Sequence, residues 1–208
     1  LKVSLKNDAI ALMKQYNVYS QTTKLSKETT FLIDLDGTLV NTNYANYLAY
    51  YYAIKQILKF EISYDEKKRF TRNILNKTFP NIQASDLKRI VKLKENKYKN
   101  YLEKTKVNEE LVILLQKYYK TNRIILVTKC HRERAEETLC FHKLSHYFTN
   151  KIFSQTNNKY KEAINNLQLS VSSVVIFEDD DLEVENAIKS GIPKQNINKV
   201  TFNQYEKI

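Results

Sequence analysis

Apolar residues along this chain fall into two kinds of run. Thr29–Leu35, Arg123–Thr128, Lys151–Phe153, Val174–Glu178 and Lys199–Phe202 are short and rich in β-branched or apolar residues, which predicts strands. The first stops abruptly at Asp-Gly, the mark of a buried strand ending in a turn. Other stretches repeat apolar positions at helical spacing. In Ser4–Asn17 these are Leu5, Ile10, Leu12 and Met13, followed by a polar linker to Thr30. Glu109–Tyr119, Arg132–Phe141, Tyr160–Leu167 and Glu183–Ser190 read as helices by the same rule. From Thr42 to about Val107 the pattern is helical almost throughout. Tyr44, Tyr47, Leu48, Tyr51, Ile54, Ile57 and Leu58 form one stripe, and Leu87, Ile90, Val91, Tyr98 and Leu102 form later ones.

Outside that helical block, strand and helix alternate. Alternation of this kind predicts an α/β fold: a Rossmann-like parallel sheet with helices on both faces and an inserted all-helical segment. The expected division is an N-terminal helix and linker over 1–28, an α/β core over 29–41 and 108–208, and the helical insert over 42–107.

Composition adds bounds. A chain of 208 residues with 42% hydrophobic and 12% aromatic content buries a sizeable core and is not disordered. The charge of +11 would draw phosphorylated metabolites or nucleic acid, but the lysines are spread along the chain, which reads as a solvated surface and argues against a nucleic-acid partner. Cys130 and Cys140 form no metal-binding spacing and suit a reducing compartment. No apolar run spans a membrane and no signal-peptide pattern is read at the start, so a cytoplasmic protein without a membrane partner is expected.

Conspicuous polar residues gather where predicted strands end. Asp34 and Asp36 close the first, Thr128 the second, and Glu178, Asp179 and Asp180 the fourth. In an open parallel sheet those carboxyl ends form the rim where ligands bind. Several carboxylates on one rim repel unless a cation neutralises them, and oxygen-only ligation selects a hard ion such as magnesium, Mg2+. Such an ion suits a phosphate substrate.

The segment Asp34-Leu35-Asp36-Gly37-Thr38-Leu39-Val40 resembles the first signature of the haloacid dehalogenase superfamily. The rest follows in that family's order: Leu126-Val127-Thr128, an isolated Lys before the next strand, and Phe177-Glu178-Asp179-Asp180 running on to Gly191-Ile192. Leu144-Ser145-His146-Tyr147-Phe148 also resembles a family segment, so the likeness covers roughly residues 30–193. The insert is similar to the small cap of the branch that contains phosphoglycolate phosphatase and β-phosphoglucomutase.

The resemblance implies roles. Asp34 would attack phosphorus as nucleophile, and Asp36 would serve as acid and then base. Asp34, the backbone carbonyl of Asp36, and Asp179 would hold Mg2+, with Glu178, Asp180 and Glu183 as further ligand candidates. Thr128 and a lysine would bind the phosphoryl group, and Gly37, Thr38 and Lys129 would complete the substrate site. The family's Lys-Pro pair is absent; Lys159 is preferred to Lys161 for its early position before the helix. Asn41, Thr42 and Tyr44 are expected at a hinge or entrance.

The implied activity is hydrolysis of a small phosphorylated metabolite, because a closing cap excludes polymers. A sugar phosphomutase is an alternative, weakened because no His occurs before His131. A catalytically silent phosphate-binding protein is another, although none of the acidic signature residues is lost.

Overall fold

A computed structural model describes residues 25–202. The helix expected at Ser4–Asn17 lies outside the described residues.

Five parallel strands form the central sheet: β1 (Thr30–Ile33), β4 (Arg123–Thr128), β5 (Asn150–Phe153), β6 (Val174–Glu178) and β7 (Ile197–Lys199), in the order β5-β4-β1-β6-β7. The chain builds outward from β1 through β4 to β5, then crosses to the other side of β1 for β6 and β7. This puts the topological switch at β1, and a crevice opens at the carboxyl ends there. Ile33 stands opposite both Leu126 of β4 and Phe177 of β6.

Period-two alternation splits β1 between two cores. Phe31 and Ile33 pack with α4 (Glu109–Tyr118) and α5 (Arg132–Phe141) through Leu111, Leu115, Ala135 and Leu139. Leu32 points the other way, into the cluster with Tyr160 and Ala163 of α6 (Lys159–Leu167) and Ala187 of α7 (Asp181–Lys189). All three strand residues have no solvent exposure. Each such side chain contributes about 1.5–3 kcal/mol by leaving water.

Between β1 and α4 the chain makes a second, helical body. A two-stranded antiparallel ribbon of β2 (Val40–Asn41) and β3 (Lys106–Val107) marks where it leaves and returns. The helices are α1 (Asn43–Leu58), α2 (Arg72–Thr78) and α3 (Ala84–Tyr98), followed by a 3-10 stretch, Lys99–Lys104. The stripe expected on α1 is found: Tyr47 and Ile54 are buried, with Tyr44, Leu48 and Tyr51 packed against them. A second face of α1 is also buried, Ala45 and Ala49 lying against Tyr98, because small residues let the helix after them approach closely.

The helical block is less continuous than its pattern. Lys59 adopts a left-handed conformation (φ +56°) and ends α1, and the stretch that follows sets Phe60, Ile62 and Tyr64 at alternate positions, which offers no apolar stripe at helical spacing before Thr71 caps α2. Other boundaries shift too. The last strand starts at Ile197 and ends at Lys199, since its partners are Ile176–Glu178 of β6, and β1 is shorter than Thr29–Leu35. No described helix is long and apolar enough to cross a membrane.

Candidate active site

Asp34 follows β1 directly and is fixed to the neighbouring strand by its N–H, which donates to the Phe177 carbonyl at 3.1 Å. The residue is 5% exposed, and its side chain meets two other acids. Asp34, Glu178 and Asp179 each offer a carboxylate oxygen, all within 4.8 Å of one another, a set able to hold a cation. Burial pushes the Asp34 carboxyl well above its ordinary pKa; Lys159 opposes this, and Glu178 and Asp179 add to it. Asp179 is raised to about 6, again chiefly by burial, against the bond from Thr38. Crowded, desolvated oxygens of this kind fit a hard divalent ion.

Lys159 opens α6, whose first turn is capped by the Asn158 side chain accepting from the Lys161 N–H. That start aims Lys159 Nζ at Asp34 Oδ1 (2.5 Å) and Glu178 Oε2 (2.7 Å), and the side chain is 3% exposed. The two carboxylates overcome burial and raise its pKa, so the ammonium is permanent at neutral pH. Lys161 points to solvent. Glu178 also accepts from Tyr160 Oη (2.6 Å) and, on its other oxygen, from the N–H groups of Asp179 and Asp180.

The remaining expected residues divide. Gly37 (φ +93°) runs so close to Asp179 that a Cβ there would collide with its carboxylate. Thr38 is fully buried and its hydroxyl donates to Asp179 Oδ1 at 2.8 Å. Thr128, 1% exposed at the end of β4, accepts the Cys130 N–H, which leaves its own hydroxyl proton to give. Lys129 stands apart from Asp34: its ammonium binds Glu183 Oε1 (2.6 Å) and the Asn157 carbonyl. Two ligand candidates are likewise engaged elsewhere. Asp180 caps α7 by accepting the Glu183 N–H, and Glu183 pairs with Lys129.

Asp36 is close in sequence to Asp34 but is held differently. Arg134 of α5 grips it with two parallel bonds, Nη1 to Oδ1 (3.1 Å) and Nη2 to Oδ2 (2.9 Å). Arg69, from the chain between α1 and α2, places Nη2 2.9 Å from Oδ2 and donates from Nη1 to the Asp36 carbonyl (3.0 Å). Thr42, expected at the hinge, donates to Oδ1 at 2.6 Å. Burial would raise this carboxyl, but Arg134 and then Arg69 outweigh it and hold it far below the usual carboxylate range. Neither arginine was expected at the site, and neither was Tyr160. The one sequence signal for Arg134 is its place in the first turn of the helix after Thr128.

The family model for haloacid dehalogenase-like hydrolases matches residues 31–196. No curated protein sequence matches the chain. Among solved structures, a haloacid dehalogenase-like family hydrolase from Streptococcus pneumoniae is 20% identical with a TM-score of 0.64, covering 81% of this chain and 83% of its own. CbbY from Rhodobacter sphaeroides, solved in complex with phosphate, is 15% identical with a TM-score of 0.65, covering 86% and 89%. A predicted phosphoglycolate phosphatase from Haemophilus somnus is 14% identical with a TM-score of 0.66, covering 81% and 84%. These likenesses establish the shared fold, and the match of the family model over most of the chain establishes the rest: this protein belongs to the haloacid dehalogenase-like hydrolase family.

Proposed function

We propose that the protein is a magnesium-dependent phosphatase that hydrolyses a small phosphorylated metabolite through a phosphorylated Asp34, with residues 42–107 acting as a cap over the rim. The observation that carries this reading is the meeting of Lys159 with Asp34 and Glu178 beside Asp179, a buried cation set among three carboxylates whose oxygens lie within 4.8 Å of one another and could hold a metal ion.

Asp34, Asp179 and the Asp36 carbonyl would hold Mg2+, with Glu178 beside them. When bound, the ion neutralises charge between the carboxylates and the phosphoryl oxygens. The Asp34 carboxylate attacks phosphorus and the bond to the ester oxygen breaks, giving the aspartyl phosphate. Lys159 balances the charge that gathers on the equatorial oxygens, and Thr128 donates a hydrogen bond to one of them. Asp36, which the arginines hold ionised, takes up a proton from solvent on leaving them and delivers it to the departing oxygen; as carboxylate it then takes one from the water that cleaves the intermediate. To do so it must first leave the two arginines. Gly37 and Thr38 shape and fix Asp179, whereas Lys129 acts through Glu183 at the edge of the site. The cytoplasm supplies both the reducing conditions that suit two free thiols and the phosphorylated metabolites.

A phosphate-release screen over phosphorylated metabolites, with and without Mg2+ and beside Asp34→Asn, tests the reading. Magnesium-dependent turnover that the variant lacks is expected. Turnover that is undiminished in the variant, or no turnover across the screen, contradicts it.

A further inference from the structure

Asp36 is a carboxylate bound as a ligand would be. Its two oxygens receive a bidentate Arg134, Arg69 and the Thr42 hydroxyl. That is the geometry with which arginine pairs recognise a planar carboxylate or a phosphate. Arg134 is 8% exposed, yet its Nε is buried without a hydrogen-bond partner, the nearest acid being Glu95 at 3.7 Å. The same side chain lines a cleft of about 710 Å³ between α3 and α5. Five Lys or Arg side chains, Arg72 and Arg134 among them, face three glutamates there. Asp34, Glu178 and Asp179 do not line this cleft, and Arg134 is the side chain that joins it to the carboxylates through Asp36.

We propose that Arg69 and Arg134 form a receptor for a second anionic group of the substrate, a carboxylate or a phosphate, and that the Asp36 carboxylate occupies this receptor until the substrate displaces it. The inference rests on the phosphatase reading and extends it to substrate class: a phosphate ester whose leaving group carries its own anion. One exchange of partners then does two things. It frees the Asp36 carboxylate to serve the leaving oxygen, and it draws Arg69 from the Asp36 carbonyl, an expected metal ligand. A neutral leaving group has nothing with which to replace Asp36, so the exchange couples the acid's release to the correct ligand.

Phosphonates, which are not hydrolysed, separate this claim from turnover. Calorimetry with Mg2+ would compare alkylphosphonates of two to five carbons with the same chains ending in a carboxylate, and with those ending in a second phosphonate. The expected result is binding about tenfold or more tighter for one of the two anion-tipped series. In Arg69→Gln, and in Arg134→Lys, which keeps the charge but loses the bidentate fork, that advantage should fall below about threefold. The series that gains decides between carboxylate and phosphate. Equal affinity across all series in the wild type, no binding of any, or an advantage that survives both variants overturns the receptor. Hydrolysis of the matching alkyl phosphates, followed in parallel, bears on the phosphatase reading alone.

Discussion

Lys159 and Asp34 are 125 residues apart in the chain and 2.5 Å apart in the fold, joined with neither side chain more than 7% exposed to water. The contact exists because β1 and β6 are adjacent, which brings Asp34 and Glu178 together, and the helix that links β5 to β6 has Lys159 as its first residue. Its energetics follow from the company it keeps. Lys159 is the cation shared by Asp34 and Glu178, so its removal leaves two desolvated carboxylates facing each other. Replacing it with Met should cost roughly 3–5 kcal/mol of stability. Added Mg2+ should restore more of the melting temperature in the variant than it adds to the wild type, as differential scanning calorimetry would read. A variant that melts with the wild type, with or without the ion, removes the electrostatic role given to Lys159.

Gly37 is the second point of leverage. Its positive φ and its contact with Asp179 both exclude a side chain. Gly37→Ala must therefore move either the turn or the Asp179 carboxylate, and Mg2+ affinity should fall by about tenfold or more while the far-ultraviolet dichroism stays that of a folded protein. Titration calorimetry makes the comparison, and unchanged affinity would falsify the placement of Asp179 at the ion.

Tyr160 has no part in the expected signature, yet its phenol is fully buried and donates to Glu178 Oε2 at 2.6 Å. Burial and then Glu178 hold its pKa well above the ordinary value, so it donates at every working pH. Tyr160→Phe removes the donor and keeps the shape. It should lower unfolding free energy by about 1–3 kcal/mol in a denaturant titration without changing the slope. No loss would mean that Lys159 alone satisfies that oxygen.

Lys94 on α3 supplies a pH test away from the carboxylates. It is 3% exposed, lies over the Tyr50 and Tyr98 rings, and pairs with Glu95. Burial, helped by Arg134, lowers its pKa from 10.5 to about 8. Between those two values the unfolded chain binds more protons than the folded one, so stability due to this group rises with pH across that window. Below it the charged lysine costs on the order of 3 kcal/mol. Lys94→Met should raise the melting temperature near pH 7, and its advantage over the wild type should shrink as the pH climbs toward 10. An advantage that stays constant with pH contradicts the assignment.

The centre of the sheet was legible in the sequence because β1, β4 and β6 are buried on both faces. Runs such as Ile124–Val127 and Val174–Phe177 carry no polar interruption, and the acids stand out where they end. The order of those runs places Asp34, Thr128 and Asp179 on one rim, and the family resemblance adds Lys159 to them. The arginine pair on Asp36 was not legible. In a chain with 34 basic residues, an Arg inside Arg132-Glu133-Arg134 looks like any solvated helix face. Its burial arises only when α3 and Tyr98 pack over α5, a contact between parts of the chain whose local patterns say nothing about each other. The same holds for Lys94, one lysine in Lys92-Leu93-Lys94, which three-dimensional packing alone removes from water. The break after Lys59 was hidden for a different reason: a single left-handed residue ends a helix without altering the average hydropathy around it.

The central claim is that Asp34 carries the phosphoryl group. Wild-type protein mixed with a turned-over phosphate ester and Mg2+, quenched in acid within the first turnovers and digested for mass spectrometry, gives the direct measurement. One phosphoryl group on Asp34, absent in Asp34→Asn and lost when the quenched sample is made alkaline, is the predicted result. Rapid phosphate release with Asp34 unmodified at every quench time, or the label on another residue, would contradict it.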